Sequence, residues 1–247
     1  MEVVLYLHMK YSCLMSRILL KLSGEALSGG KNGTLFDQDV LHGMVDAVRQ
    51  LVADKHEVML VLGGGNLFRG AVLSTQLSVE RATADYIGML ATIQNALVVR
   101  DYFHAHDVDT RVASAIAMPQ VCEAYVPKRI ARHLEKGRVV IFAAGLGAPY
   151  FTTDTTAVQR ALELGAKEVV FVKNGVNGLY TGDPKSDQHA TFIKEISASS
   201  VAQQALRALD LSAVVLARDN GLSLRIIGMS DLSRTLDHTV GSIIKAE

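Results

Sequence analysis

Val58-Met59-Leu60-Val61-Leu62-Gly63-Gly64-Gly65-Asn66-Leu67-Phe68-Arg69-Gly70 is an apolar, β-type run that breaks into three glycines and reaches an arginine. An uninterrupted hydrophobic run reads as a strand buried on both faces of a parallel sheet. Glycines at its carboxyl end let the backbone approach a ligand that a Cβ would repel. Backbone N–H groups at a following helix start favour an anion, and Arg69 adds a forked pair of charge-assisted hydrogen bonds. A glycine-rich left-handed turn with no ligand has the same composition. The stretch therefore decides the fold class and leaves function open.

Upstream, Arg17-Ile18-Leu19-Leu20-Lys21-Leu22 is a second short β-type run, and it stops at Ser23-Gly24-Glu25. Lys21 thus sits at the carboxyl end of a strand, the edge where open α/β sheets bind ligands. A charge inside an apolar strand is costly to bury without a partner, so the two readings are a phosphate-facing lysine and a lysine snorkelling to the surface. Ser28-Gly29-Gly30-Lys31-Asn32-Gly33-Thr34 reads as a polar loop. Asp37 caps a helix in which Val40, Leu41, Met44, Val48 and Leu51 recur at helical spacing. This helix returns the chain to the strand of the glycine run, making a βαβ unit with two glycine turns at one sheet edge.

Downstream, a helix runs from about Val79 to Ala105 with Asp85 near its beginning, where an acid is ordinarily a dipole partner on a solvated face. Arg111 to Ala113 is a short strand, and Lys128 to Glu135 is a helix after Pro127. The buried strand Gly137 to Ala144 empties into Gly145-Leu146-Gly147-Ala148-Pro149-Tyr150-Phe151-Thr152-Thr153-Asp154-Thr155-Thr156. Here a glycine-rich loop meets a helix start rich in capping oxygens and free N–H donors. A plain capping cluster explains one threonine and Asp154 but leaves the loop without a purpose. Lys167 to Val172 makes another strand, followed by turn signals from Lys173 to Pro184 that read as a hairpin with an exposed Tyr180. Leu224 to Ile227 is a last core strand, and Gly241 to Ile244 is expected to close an edge.

The chain has 247 residues, about half of them hydrophobic, which suits one sizeable core. Lys+Arg and Asp+Glu balance at 25 each, which argues against a general nucleic-acid or membrane surface. Cys13 and Cys122 are too few for a disulfide framework and lack metal-ligand spacing, so the chain reads as a reduced, cytoplasmic protein. No apolar run approaches the roughly 20 residues of a membrane span. Residues 1–16 lack the features of a signal peptide and are set apart as a disordered or loosely docked arm before a single domain, 17–247.

Taken together, Lys21-Leu22-Ser23-Gly24-Glu25-Ala26, Gly63-Gly64-Gly65-Asn66 with Phe68-Arg69-Gly70, Asp85 followed by Gly88-Met89-Leu90-Ala91-Thr92, and Pro149-Tyr150-Phe151-Thr152-Thr153-Asp154 resemble the bacterial uridylate (UMP) kinases of the amino-acid kinase superfamily. The resemblance runs in one order from Arg17 to the C-terminus. It implies a single-domain, three-layer αβα sandwich around a mostly parallel sheet. It also implies ATP-dependent phosphorylation of UMP to UDP, Mg²⁺ on the nucleotide phosphates rather than on protein side chains, and a homohexamer activated by GTP and inhibited by UTP.

Carried over by position, the resemblance places Lys21, Leu22, Ser23, Gly24 and Gly65 at the ATP phosphates, with Arg69 reaching them across the site. Asn174, Tyr180 and Asp183 would surround the ATP nucleoside. UMP would be held by Gly64, by Asp85 accepting from ribose hydroxyls, and by Leu146, Gly147, Ala148, Pro149, Tyr150, Phe151, Thr152 and Thr153. Gly29, Gly30, Lys31, Asn32, Gly33 and Thr34 match the segment associated with GTP activation. Leu146 and Ala148 stand where the family loop has Thr and Asn, so side-chain hydrogen bonds from those two positions are absent while backbone contacts can survive. Asn177 and Gly182 replace the family's Asp and Ala near the ATP site, a departure that bears on the ATP contacts.

The nucleophile implied is a phosphate oxygen of UMP, already largely ionised at neutral pH because its second pKa is about 6. Proton abstraction is then no obstacle, and catalysis reduces to bringing two polyanions together in line. Lys21 and Arg69 would supply charge, with Asp154 orienting Lys21. A sibling kinase acting on a carboxylate or carbamate would share the glycine turns and Lys21, but has no need of Arg69, Asp85 and the Tyr150 to Asp154 set. A nucleotide sensor on this fold would have no need of both Lys21 and Asp154.

Overall fold

The computed structural model describes residues 16–30, 34–68, 78–206 and 208–247. Eleven strands are present among them: β1 (Arg17–Leu22), β2 (Glu57–Leu62), β3 (Thr110–Ser114), β4 (Glu123–Ala124), β5 (Val139–Ala143), β6 (Glu168–Lys173), β7 (Leu179–Tyr180), β8 (Phe192–Ile193), β9 (Glu195–Ser197), β10 (Ser223–Gly228) and β11 (Ser242–Lys245). Nine form one sheet in the order β4-β3-β5-β2-β1-β6-β10-β11-β9, while β7 and β8 pair with each other. Every neighbour in the large sheet is parallel except β10 with β11.

The strands read as continuous apolar runs because helices cover both faces. On one side lie α2 (Gln38–Ala53) and α3 (Arg81–His104), whose Leu41, Met44, Val48, Ile93 and Val99 pack on Leu20, Leu60 and Ile141. On the other lie α4 (Pro127–Glu135), α5 (Thr153–Glu163), α6 (Ala198–Gln203) and α7 (Leu211–Asp219), packed on Leu19, Val61, Phe142 and Phe171. This is the three-layer αβα sandwich. The Asp37 carboxylate caps α2 by accepting from the N–H groups of Asp39 and Val40. Pro127 begins α4, where its missing N–H costs nothing.

β1 lies between β2 and β6, so the chain's crossovers leave it in opposite directions. That is a topological switch point, and the crevice at its carboxyl edge is where such sheets take ligands.

Three expectations need correction. The segment after Gly24 is a single helical turn, α1 (Gly24–Leu27), capped by Ser23, rather than a turn alone. β11 does not close an edge: β9 pairs outside it, and the buried Ser242 hydroxyl pins it by accepting from the Leu179 N–H and donating to the Ile193 carbonyl. The hairpin does not lie within Lys173 to Pro184, because Leu179 and Tyr180 pair with the more distant Ile193 and Phe192. Tyr180 is accordingly half-buried against Phe192, with ring centroids 5.5 Å apart. Residues 1–15 of the proposed arm lie outside the described residues.

Candidate active site

Alternation along β1 puts Lys21 on the same face as Leu19, which is the α5 side of the sheet. On β6, Lys173 follows Phe171 on that face, and Lys21 is the register partner of Phe171. Two lysines from adjacent strands therefore reach the switch-point edge together. Thr152 caps α5 by accepting from the Asp154 N–H, which places Asp154 in the helix's first turn directly over that edge.

Asp154 Oδ1 lies 2.6 Å from Lys21 Nζ, with the two side chains only 10% and 9% exposed. The contact is an ion pair rather than an aligned hydrogen bond, and this oxygen has no other partner among the described residues. Its mate Oδ2 accepts from the Asp210 N–H at 3.4 Å, and the Thr152 hydroxyl donates to the Asp210 carboxylate. Burial alone would push the Asp154 carboxyl up, but the charges of Lys21 and Lys173 outweigh it and hold the group below the usual carboxylate range. Burial pulls the Lys173 ammonium below its ordinary value; Asp154 works against this pull and Lys21 adds to it. The result is a cation–anion–cation cluster, largely shielded from water, at the end of two strands.

Around it stand the glycine turns, whose glycines are required mainly by packing. A Cβ on Gly24 would lie 2.4 Å from the Gly65 nitrogen, one on Gly63 2.8 Å from the Gly24 nitrogen, and one on Gly64 2.9 Å from the Gly88 carbonyl oxygen of α3. Only at Gly65 is the nearest neighbour the flexible Glu25 side chain, at 3.6 Å. The two turns thus interlock, and the second presses on α3 through Gly64.

The loop from Ala144 to Phe151 holds non-glycine residues in the left-handed region at Ala144 (φ 62°) and Tyr150 (φ 70°). Such strain persists only where the surroundings enforce it, and it concentrates at functional sites. The Tyr150 N–H donates to Asp85 Oδ2 at 2.8 Å, so this loop is joined to α3, and Arg81 Nε lies 3.0 Å from Asp85 Oδ1. Tyr150 and Phe151 are 67% and 54% exposed, leaving an aromatic rim free to meet a ligand. On the far side, a cavity of about 490 Å³ is lined by Asn174, Asn177, Tyr180, Lys185 and Gly228. The Tyr180 hydroxyl donates to Asn177 at 2.6 Å.

The amino acid kinase family model matches residues 16–228. The uridylate kinase of Clavibacter michiganensis subsp. michiganensis is 49% identical over 213 residues, 86% of this chain and 88% of its own length. The chain belongs to the uridylate kinases of the amino acid kinase family. The uridylate kinase of Leifsonia xyli subsp. xyli is 47% identical over 228 residues, 92% of this chain and 94% of its own. Among solved structures, the UMP kinase of Bacillus anthracis superposes with a TM-score of 0.88 at 34% identity, covering 94% of this chain and 96% of that one. The UMP kinase of Ureaplasma parvum gives 0.85 at 31% identity, covering 94% and 99%.

Among the residues assigned from family resemblance, Lys21, Leu22, Ser23, Gly24, Gly64, Gly65, Asp85 and Asp154 gather at the switch-point edge together with the Leu146 to Thr153 loop. Asn174 and Tyr180 line the adjoining cavity. Asp183 is exposed in the next turn, where Oδ1 accepts from the Lys185 N–H at 2.9 Å. Arg69 lies outside the described residues, as do Lys31, Asn32 and Gly33 of the Gly29 to Thr34 segment. A Cβ on Gly30 would lie 2.8 Å from the Asn174 amide, so the start of that segment abuts the cavity. Lys173 was not singled out from the sequence. Its signal was present in the spacing, two residues beyond Phe171 on a strand neighbouring β1.

Proposed function

We propose that this family member transfers the γ-phosphoryl group of ATP to UMP, giving UDP and ADP, by charge stabilisation without a general base. The observation that carries the proposal is the Lys21–Asp154–Lys173 cluster, placed between the interlocked glycine turns and the Ala144 to Thr152 loop. ATP would lie with its nucleoside in the cavity lined by Asn174 and Tyr180 and its phosphates toward Lys21, Ser23, Gly24 and Gly65. UMP would lie against Gly64, Asp85 and the loop through Thr153. Arg69 is assigned to the phosphates on family resemblance.

In phosphoryl transfer the negative charge spreads over the equatorial oxygens of the moving group, and little covalent work is left to the protein. Lys21 and Lys173 meet that charge where water is excluded, which makes each interaction stronger than at a surface. Asp154 pairs with the Lys21 ammonium, and its negative charge favours the ammonium of the nearby Lys173 before substrate arrives. The UMP phosphate supplies its own ionised oxygen, so Asp154 accepts no proton in the reaction.

A kinase that uses ATP implies a divalent metal, and Mg²⁺ is the ion proposed. Among the described residues no three of His, Cys, Asp and Glu converge to hold a metal. Mg²⁺ is bound largely through substrate phosphates and water rather than in an all-protein cage, in keeping with its expected place on the nucleotide phosphates. When bound, the ion neutralises phosphate charge.

We also propose a homohexamer regulated by GTP and UTP. Leu90 and Val98, 43% and 39% exposed on α3, suit burial against a neighbouring subunit. A GTP effect through Gly29 to Thr34 would be felt at Asn174. No helix among the described residues is long and apolar enough to cross a membrane, and a cytoplasmic location is part of the same proposal. A nucleoside-monophosphate panel with ATP, read by ADP release, tests the substrate assignment. UMP is expected to turn over far faster than CMP, because a mismatched base leaves buried polar groups unpaired. Equal rates, or transfer to no nucleotide, would refute it.

A further inference from the structure

Three polar side chains of α3, Asp85, Thr92 and Asn95, lie on one face of the helix, and each holds a different point of the site. Asp85 holds Tyr150, as described above. Thr92 Oγ1 donates its proton to the Met89 carbonyl at 2.7 Å and accepts from the Ala144 N–H at 2.8 Å. Asn95 Nδ2 donates both to the Gly63 carbonyl and to Asn66 Oδ1, each at 2.7 Å. Asn66 answers by donating to Asn95 Oδ1 at 3.1 Å and to the Leu35 carbonyl at 2.9 Å. The two amides therefore face each other reciprocally beneath the glycine turn.

Thr92 is 4% exposed and Asn95 0%, so neither side chain touches a substrate. Burying an amide or a hydroxyl is costly unless its hydrogen bonds are made, and apolar side chains would fill the same contact between α3 and the sheet without that demand. What the polar groups add is direction. Ala144 is the first strained residue of the acceptor-side loop, and Thr92 fixes its N–H. Gly63 and Asn66 bracket the phosphate-side turn, and Asn95 holds both. The contact of Gly64 with Gly88 and Ala91 lies on the same helix, just ahead of Thr92.

We propose that Thr92 and Asn95 are positioning residues for the transfer reaction, with α3 acting as a rail that sets the spacing between acceptor and donor. Thr92 governs the Ala144 to Thr152 loop, and Asn95, through Asn66, governs the Gly63 to Asn66 turn. This rests on the functional reading above. It makes the two residues separable by kinetics, since one acts on the UMP side and the other on the phosphoryl-transfer side.

The test is steady-state kinetics with ATP and UMP alongside thermal melting. Thr92→Val keeps the shape and loses the acceptor; it is expected to raise KM for UMP by about tenfold while KM for ATP stays within about twofold, as a loop misplaced by part of an ångström does. Thr92→Ser restores the hydroxyl and with it the wild-type values. Asn95→Asp sets an oxygen against the two oxygens that Nδ2 now serves, and is expected to lower kcat by about 10²-fold with KM for UMP near wild type. Asn66→Ala, at a half-buried position that carries less risk to folding, is expected to lower kcat by about tenfold in the same pattern. Variants whose rate losses merely track their melting temperatures, or Thr92→Val and Asn66→Ala indistinguishable from wild type, overturn the inference. A wild-type chain with no transfer to UMP refutes the functional reading, and the inference falls with it. An active wild type with unaffected variants refutes the inference alone.

Discussion

Asp154→Asn keeps the outline of the side chain and removes the anion that Lys21 approaches to 2.6 Å. With both side chains about a tenth exposed, water cannot replace it. Breaking a buried pair from one side typically costs about 3–5 kcal/mol. Lys173 offers partial relief, because burial already holds its ammonium below the ordinary value and it can shed its proton once Asp154 is gone. That places the cost near the lower end, about 3 kcal/mol. At roughly 2–4 °C per kcal/mol for a chain of this size, the variant should melt about 6–12 °C below wild type at neutral pH. The pH dependence has a definite sign. The folded Asp154 carboxyl sits below its usual 3.8, so its contribution is present above that value and is lost as pH falls through the folded one. The gap in melting temperature should therefore hold from neutral pH down to about 4 and close only below it. On the alkaline side it should narrow, since a neutral Lys173 needs no counter-charge. Activity should fall by about 10²-fold in kcat, as positioning losses do, while the acid limb of the rate profile stays near pH 6, set by the UMP phosphate itself. Scanning calorimetry across pH and an ADP-release assay measure both. A variant that melts with wild type and keeps its kcat refutes the role given to the carboxylate. An acid limb that disappears in the variant alone shows that Asp154 takes a proton, and ends the base-free mechanism.

Lys173→Met should separate rate from stability, lowering kcat by about 10²-fold while leaving the melting temperature unchanged or higher, because it removes an ammonium whose burial, together with the like charge of Lys21, outweighs the attraction of Asp154. A fall in melting temperature with kcat intact would assign Lys173 to structure instead. Gly64→Ala should cost about 1–3 kcal/mol as an overpacked contact, since its Cβ would lie 2.9 Å from both the Gly88 oxygen and Ala91 Cβ. Denaturant unfolding checks this, and a midpoint equal to wild type would mean that α3 gives way freely.

The strands were legible because helices on both faces demand unbroken apolar runs, and the α2 cap was legible because Asp37 stands just ahead of a helical period. Lys21 stood out as a charge in an apolar strand. Other features depend on partners far away in sequence. Edge and interior strands differ only in what pairs with them, so nothing in Ser242 to Lys245 told that β9 lies outside it. The hairpin partner of Leu179 and Tyr180 comes after a long turn-rich segment that hides it. Lys173, followed by Asn-Gly, reads as an exposed lysine opening a turn until the β1–β6 register sets it beside Asp154. A polar residue within a helix ordinarily marks a solvated face, which concealed Asn95. The glycines were correctly placed at a sheet edge, yet at Gly63 and Gly64 their small size serves contact between protein segments.

The central claim, direct transfer of the γ-phosphoryl group of ATP to a phosphate oxygen of UMP, is tested by a single-turnover experiment with ATP labelled in its γ-phosphate. The label should appear on the β-phosphate of UDP at the rate that ADP forms, with none on the protein. Label trapped on the protein, or released as inorganic phosphate while UMP is left unchanged, would contradict it.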